Sequence, residues 1–189
     1  MMTTEIKFGG FGGQGVILAG MIIGRAASIY DNKFATLTQS FGPEARGSAC
    51  SAQVIVSDQE ILYPYVTKPQ ILLVMSQEAC NKFLPETTDD AAVVIEEELV
   101  KPKALKPGMK LFGIPATRFA EELGRKMVLN IVMVGFFTAV TGLVGRNAAR
   151  EAVKTSVPKG TENLNLQAFD RGYEYGMSLV QGAAAPVAQ

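Results

Sequence analysis

A glycine-rich loop between a strand-like and a helix-like segment is the feature that most constrains the fold of this chain. The strand-like residues 5–8 are followed by the sequence GGFGGQG and then by an apolar, helix-like segment. Gly10, Gly12 and Gly15 have the G-x-G-x-x-G spacing, which in this setting is typical of dinucleotide-binding units. Glycines let the backbone turn tightly and approach a ligand, and free N–H groups at a helix start favour an anion such as a diphosphate. A tight strand–helix turn without any ligand is the alternative interpretation.

One part of the nicotinamide-binding pattern is missing. An Asp or Glu that binds the ribose is expected about 20 residues further on, at the end of the second strand. The second predicted strand, residues 34–39, is followed by Ser40 and contains no acid. Asp31 precedes this strand and Glu44 lies well past its end. We therefore expect a loop that binds phosphate but not an NAD site.

The alternation of strand-like and helix-like segments predicts an α/β fold with a Rossmann-like, doubly wound, mostly parallel sheet and a helical C-terminal part. A β-hairpin is expected as an embellishment, with a strand at 51–56, a turn at 57–60 and a short return strand at 61–63. The other predicted segments are strands at 34–39, 71–75, 92–95 and 110–114, and helices at 77–83, 115–126, 128–144, 147–155 and 163–180.

Composition restricts the chemistry that the chain supports. It has 189 residues, of which 48% are hydrophobic, so we predict one domain over residues 1–181 and a flexible tail over 182–189. The 18 basic and 18 acidic residues balance, so no basic field for nucleic acid is expected. The complete absence of histidine excludes a histidine-based triad, metal ligand or proton shuttle within this chain. The polar N-terminus, residues 1–7, shows no signal peptide.

The two cysteines, Cys50 and Cys80, are far apart in the sequence and form no C-x-x-C motif. An iron–sulfur cluster requires about four thiolates, so this chain cannot hold one by itself. Both are expected to be free, buried thiols of a protein in the reducing cytoplasm. We predict no catalytic residue and no metal ligand in this chain.

The most apolar segment, residues 128–144, is interrupted by Asn130, Thr138 and Thr141. It is also short for a membrane span, which needs about 20 residues. We expect a buried helix in a subunit contact, and no membrane association. In the first helix, Gly20 and Gly24 lie on one face, and we expect them to allow close approach to the sheet or to a neighbour.

Three segments together resemble the gamma subunits of 2-oxoacid:ferredoxin oxidoreductases. They are the glycine loop at 9–15, the run TQSFGPEARGS at 38–48 and the strand end at 54–58. The second segment contains the pattern S-[FY]-G-P-E-x-R-G and is the most specific of the three. The resemblance extends over nearly the whole chain.

The resemblance implies a reaction that composition alone does not indicate. These enzymes convert a 2-oxoacid, CoA and oxidised ferredoxin to acyl-CoA, carbon dioxide and reduced ferredoxin. Thiamine diphosphate and magnesium belong to the alpha and beta subunits, and [4Fe-4S] clusters to beta and to a ferredoxin-like delta subunit or a fused equivalent. The gamma subunit lies beside the CoA channel and helps to bind CoA. We expect 2-oxoglutarate as substrate, with the pyruvate, branched-chain and arylglyoxylate enzymes as alternatives.

The expected CoA-binding residues lie in the glycine loop and in the second segment. They are Gly10, Phe11, Gly12, Gly13, Gln14, Gly15, Ser40 and Arg46. The Arg46 guanidinium suits a bidentate contact with a phosphate or with a carboxylate of a partner subunit, or a pairing with Glu44 that fixes the loop. Two further hypotheses stay open: a free-standing nucleotide-binding oxidoreductase, and a purely structural subunit with an empty glycine loop.

Overall fold

A computed structural model describes residues 2–40 and 49–184 of the chain, which form one mixed β-sheet with helices on both faces. The strands are β1 (Thr3–Phe11), β2 (Phe34–Ser40), β3 (Ala49–Ser57), β4 (Ile71–Val74), β5 (Ala92–Glu96) and β6 (Lys110–Ile114). The α-helices are α1 (Val16–Arg25), α2 (Gln77–Phe83), α3 (Ala116–Glu122), α4 (Leu129–Thr141), α5 (Arg146–Ser156) and α6 (Glu162–Ala184). A π-helical turn, Ala26–Tyr30, extends α1, and 3₁₀ turns lie at Leu84–Glu86 and Lys126–Val128.

The strand order is β2-β3-β1-β4-β5-β6. Strands β1, β4, β5 and β6 are parallel neighbours, whereas β3 runs antiparallel between β1 and β2. The predicted α/β class, the mostly parallel sheet and the helical C-terminal part are confirmed.

The predicted return strand at residues 61–63 is wrong, because this segment forms no strand. Strands β1 and β2 pair with the two edges of β3. No edge of β3 is therefore left for a return strand. Side-chain bonds hold the segment that follows β3. The Glu5 carboxylate accepts the backbone N–H groups of Thr67 and Lys68, each at 2.7 Å.

Each face of the sheet has its own core. Ile6 and Phe8 point from β1 into a large cluster formed with α1 and the C-terminal helices. Leu72 and Val74 of β4 point the other way, against α2. Close approach of α1 to β3 depends on Gly20, since a Cβ atom there would lie 2.8 Å from the Cβ of Ala52. This confirms the packing role expected for that glycine.

Helix α4 is buried by its own chain and not by a second subunit, so the prediction of a subunit contact is wrong. Ile131 is 1% exposed, and Phe136 and Phe137 are fully buried. Helix α6 covers α4 and crosses it closely. A Cβ on Gly135 of α4 would lie 2.0 Å from the carbonyl oxygen of Phe169 on α6. None of the helices in the described ranges is long and apolar enough to cross a membrane.

Candidate functional site

The glycine loop is a sharp turn at the carboxyl end of β1. Strand β1 extends to Phe11, three residues beyond the predicted end, so Gly9 and Gly10 belong to the sheet. Gly13 and Gly15 have φ values of 94° and 74°, the left-handed region that favours glycine. Helix α1 then begins at Val16. The turn therefore aims the start of α1 at the edge of the sheet where α/β proteins bind ligands.

Two predicted site residues, Gly10 and Gln14, serve the turn itself. A Cβ on Gly10 would lie 2.6 Å from the Gln14 side-chain oxygen, so this glycine makes room for the amide. Gln14 Oε1 accepts the N–H of Phe11 at 2.7 Å, and its Nε2 donates to the carbonyl oxygen of Met75 at 3.0 Å. The Gln14 amide and the Phe11 N–H are thus engaged within the chain, tying the turn to the end of β4.

The outer part of the turn is open. Gly12 and Gly13 are exposed, and a Cβ on Gly13 would meet no atom within 4 Å. The first N–H groups of an α-helix have no partner inside the helix. Within the described residues, no side chain caps the start of α1 and no acid lies in its first turn. The N–H groups and the helix dipole at this end therefore favour a bound anion.

A second helical run begins at the same place. The 3₁₀ turn Lys126–Val128 leads directly into α4, and its first two residues line a depression of about 200 Å³ together with Gly13 and Gln14. The buried amide of Asn130 lies 3.4 Å from the Gly15 carbonyl oxygen. A Cβ on Gly15 would lie 2.3 Å from that amide nitrogen. Two helix starts, about 110 residues apart in the sequence, thus converge on one turn.

Two basic side chains, Arg125 and Lys126, accompany the second helix start and were missed by the sequence analysis. Arg125 and Gly13 line a groove of about 280 Å³ that adjoins the depression. Lys126 forms an exposed ion pair with Glu121 at 2.8 Å, and this hydrogen bond and charge raise the pKa of the lysine. Arg125 is exposed and takes part in no ion pair within the described residues. Neither residue belongs to a sequence motif. Only the fold brings the two side chains beside the glycine turn.

The second predicted segment is only partly described. Ser40 is exposed and ends β2, opposite Ser51 of β3. Ser51 pairs in turn with Gly9 of β1. Ser40 therefore lies at the same end of the sheet as the glycine turn, but two strands away, which is about 10 Å. Arg46 and Glu44 fall within residues 41–48, outside the described residues.

The acids and thiols in the described part of the chain do not gather into a metal site. No group of three His, Cys, Asp or Glu side chains suited to a metal gathers in residues 2–40 and 49–184. Cys50 and Cys80 are buried free thiols, and burial raises the pKa of each. Glu96, at the carboxyl end of β5, is fully buried and accepts the N–H groups of Leu99 and Thr117 at 2.6 and 3.3 Å. Burial raises the pKa of Glu96, whose role is to fix the β5–α3 region.

Comparison with known proteins identifies close relatives over the whole fold. The family model of pyruvate ferredoxin/flavodoxin oxidoreductase matches residues 5–175. The 2-oxoglutarate synthase subunit KorC of Methanocaldococcus jannaschii is 47% identical over 180 residues, which cover 94% of this chain and 96% of the relative.

Two solved structures share the fold. The gamma subunit of a keto/oxoacid ferredoxin oxidoreductase from Geobacter sulfurreducens PCA is 38% identical, with a TM-score of 0.84 and coverage of 94% of this chain and 98% of that one. The 2-oxoglutarate:ferredoxin oxidoreductase of Magnetococcus marinus, solved with 2-oxoglutarate, coenzyme A and succinyl-CoA, has a TM-score of 0.85 at 20% identity. The match covers 94% of this chain and 32% of that longer chain, and at this identity it supports the fold alone.

Proposed function

The chain belongs to the pyruvate ferredoxin/flavodoxin oxidoreductase family, and from that premise we propose that it is the gamma subunit of a 2-oxoglutarate:ferredoxin oxidoreductase. In this role it binds the nucleotide end of CoA and supports the catalytic subunits. The similarity to the 2-oxoglutarate synthase subunit of M. jannaschii, at 47% identity over nearly the full length of both proteins, supports 2-oxoglutarate as the substrate.

One observation carries the proposal for CoA: two helix starts, neither of them capped by a side chain of the described residues, converge on an open glycine turn. Anions bind where backbone N–H groups and helix dipoles point to the same place. Gly12 and Gly13 leave the backbone accessible to phosphate oxygens, and Arg125 and Lys126 add positive charge nearby. A diphosphate such as that of CoA matches this arrangement in charge.

The chain's composition fits a complex in which other subunits hold the catalytic cofactors. It has no histidine and two separated cysteines, so thiamine diphosphate, magnesium and [4Fe-4S] clusters are assigned to alpha, beta and a ferredoxin-like delta subunit or fused equivalent. When bound in those partners, these groups supply the decarboxylation and the electron transfer to ferredoxin. We place the complex in the cytoplasm, where free thiols such as those of Cys50 and Cys80 stay reduced.

The test of CoA binding is a substitution that fills the open turn. In the assembled complex, Gly12→Val should raise the KM for CoA while changing the KM for the 2-oxoacid little. Loss of two charge-assisted hydrogen bonds, at about 1.5–3 kcal/mol each, predicts an increase of roughly 10²- to 10⁴-fold. The matched control is Gly182→Val, because Gly182 is exposed and a Cβ there would meet no atom within 4 Å.

Assembly must be verified for both variants by copurification with the partner subunits. An assembled Gly12→Val complex with normal CoA affinity would show that the loop is only a turn. The substrate is tested on the native complex, which should turn over 2-oxoglutarate in preference to pyruvate, branched-chain 2-oxoacids and arylglyoxylates. The isolated chain should contain no iron and should not reduce a viologen dye with 2-oxoacid and CoA.

A further inference from the structure

The connection between β3 and β4, residues 58–70, presents a cluster of large apolar side chains to solvent. Leu62 is 89% exposed, Tyr63 61% and Tyr65 56%. The two tyrosine rings contact each other edge to face, with their centroids 5.4 Å apart. All three side chains line one depression of about 370 Å³, whose floor includes Ile55 of β3. Single exposed apolar residues are common, whereas a cluster beside a depression is typical of an interaction surface.

The β3–β4 connection contains no helix or strand in residues 58–70, but hydrogen bonds fix its end to β1. The Glu5 carboxylate accepts the N–H groups of Thr67 and Lys68, each at 2.7 Å. The Glu5 N–H donates to the side-chain oxygen of Gln70 at 2.6 Å, and the Glu5 carbonyl oxygen accepts the Gln70 N–H at 2.9 Å. A surface that is fixed before binding loses little conformational entropy on binding.

The rim of the depression carries negative charge. Glu60 lines it, is exposed, and forms no ion pair within the described part of the chain. Asp58, two residues earlier, is also exposed. Lys68 is the cation nearest to Glu60 in the sequence, but it lies beside Asp89. The hydrogen bond and charge of Lys106, and the charge of Lys68, lower the pKa of Asp89. The acids at the rim are therefore available to a positively charged partner.

The two requirements of this surface define the chemistry of its partner. The partner must cover the tyrosine rings and bring positive charge to the rim. An arginine does both, because its guanidinium stacks on aromatic faces and pairs with a carboxylate through two parallel hydrogen bonds. Tyrosine and arginine are also the residues that most often dominate the binding energy of protein interfaces.

The surface lies far from the glycine turn. Residues 58–70 adjoin the start of β1, where Thr3 pairs with Ser57, whereas the glycine turn follows Phe11 at the other end of the strand. The nine residues of β1 span about 25 Å. A partner on the β3–β4 connection therefore leaves the turn open.

Resting on the proposed function, we propose that the β3–β4 connection is a docking surface for an arginine-bearing segment of a catalytic partner subunit. The guanidinium stacks on the rings of Tyr63 and Tyr65 and pairs with Glu60, while Leu62 packs against apolar side chains of the same segment. The chain thus has an assembly site that is separate from the glycine turn.

The test measures the affinity of the full chain for the purified partner subunits. Tyr65→Ala and Glu60→Lys should each weaken assembly by about 10- to 100-fold, since the first removes a ring and the second turns attraction into repulsion. The effect of Glu60→Lys should shrink as salt is raised. The matched control is Glu174→Lys, because Glu174 is an exposed acid on α6 without an ion pair in the described ranges. It should leave assembly within about twofold of the wild type.

Photo-crosslinking locates the partner directly and does not depend on a loss of binding. A photo-crosslinking amino acid in place of Leu62 should link the chain to an arginine-containing peptide of a catalytic subunit in the assembled complex. The same amino acid in place of Leu179, which is exposed on α6, is the control and should give no such product.

The outcomes separate the docking surface from the proposed function. If the wild-type chain does not bind the partner subunits at all, the proposed function is wrong. If the wild type binds them but Tyr65→Ala and Glu60→Lys bind equally well, only the docking surface is refuted. A crosslink from position 62 to a second copy of this chain would also overturn the proposal, because the surface would then join two copies.

Discussion

The glycines of the β1–α1 turn and those of the α4–α6 crossing differ in what surrounds them. A Cβ on Gly13 would meet nothing within 4 Å, whereas a Cβ on Gly135 would lie 2.0 Å from the carbonyl oxygen of Phe169. On α6, a Cβ on Gly172 would lie equally close, 2.0 Å, to the carbonyl oxygen of Val132. Glycine in the crossing is thus required by packing inside the chain, while glycine in the turn leaves open space beside exposed backbone. The crossing is structural, whereas the turn leaves room for the proposed ligand.

The largest loss of stability is expected from a substitution at the crossing of α4 and α6. Gly135→Leu places a side chain where the backbone of α6 lies, so the two helices must separate and open the core around them. We expect a loss of about 4–5 kcal/mol in the free energy of unfolding, at the upper end of single substitutions. Chemical denaturation of the full chain, followed by circular dichroism, measures it.

Gly182→Leu is the matched control on α6, because Gly182 is exposed and has no atom within 4 Å of its Cβ position. Its free energy of unfolding should differ from the wild-type value by less than about 0.5 kcal/mol. Equal stability of the Gly135→Leu and Gly182→Leu variants would mean that α4 and α6 do not need close contact, and the contrast between the two regions would disappear.

The two regions also differ in how far the sequence predicts them. The glycine turn was predicted because its residues are contiguous and their spacing between a strand and a helix has a mechanical reason. The segment that became α4 was recognised as a buried helix, but its cover was assigned to another subunit. Apolarity reports that a helix is buried and not which element buries it, and α6 lies about 30 residues further along the chain.

The same limit applies to the site. Gln14 was predicted to be a ligand contact, yet its amide bonds Phe11 and Met75, a partner about 60 residues away that no local pattern indicates. Arg125 and Lys126 were missed because neither belongs to a motif, and only the fold brings them to the turn. The sequence does contain one polar residue within this apolar helix, Asn130, and in the structure it contacts Gly15.

Substitutions of Gln14 should have a smaller effect on stability, and they test whether the turn binds an anion. Gln14→Ala removes the acceptor of the Phe11 N–H and the donor to the Met75 carbonyl oxygen. It should lower the free energy of unfolding by about 1–2 kcal/mol. Gln14→Glu keeps an acceptor for Phe11 but adds a negative charge beside the proposed phosphate site. A repulsion of about 1 kcal/mol should weaken CoA binding by about fivefold more than Gln14→Ala does.

Ionic strength gives the internal control for this pair of variants. The difference in CoA affinity between Gln14→Glu and Gln14→Ala should shrink as salt is raised, since exposed charges are screened. Isothermal titration of the assembled complexes at low and high salt measures it. Equal CoA affinities of the two variants at low salt would argue against an anion at the turn.

The smallest effect is expected on α6, where Asp170 pairs with two arginines of α5. Its carboxylate accepts two hydrogen bonds from Arg150, at 2.9 and 2.8 Å, and one from Arg146 at 3.1 Å. Burial acts to raise the pKa of Asp170, but these hydrogen bonds and charges outweigh it and hold the pKa below its ordinary value. The partly exposed arginines limit the contribution of the cluster to about 1 kcal/mol.

The lowered pKa of Asp170 determines how the stabilisation by this cluster depends on pH. The stabilisation is fully present above the unfolded-state pKa of about 3.9 and is lost as pH falls through the lower folded-state value. Asp170→Asn should therefore destabilise the chain at pH 7, and the difference from the wild type should shrink as pH falls below about 4. Denaturation midpoints at pH 7, 5, 4 and 3 measure this trend. The affinity of the complex for CoA should stay unchanged, because Asp170 does not line the groove beside the glycine turn. If Asp170→Asn changed CoA affinity but not stability, Asp170 would belong to the binding site, and the distinction between the two regions would be lost.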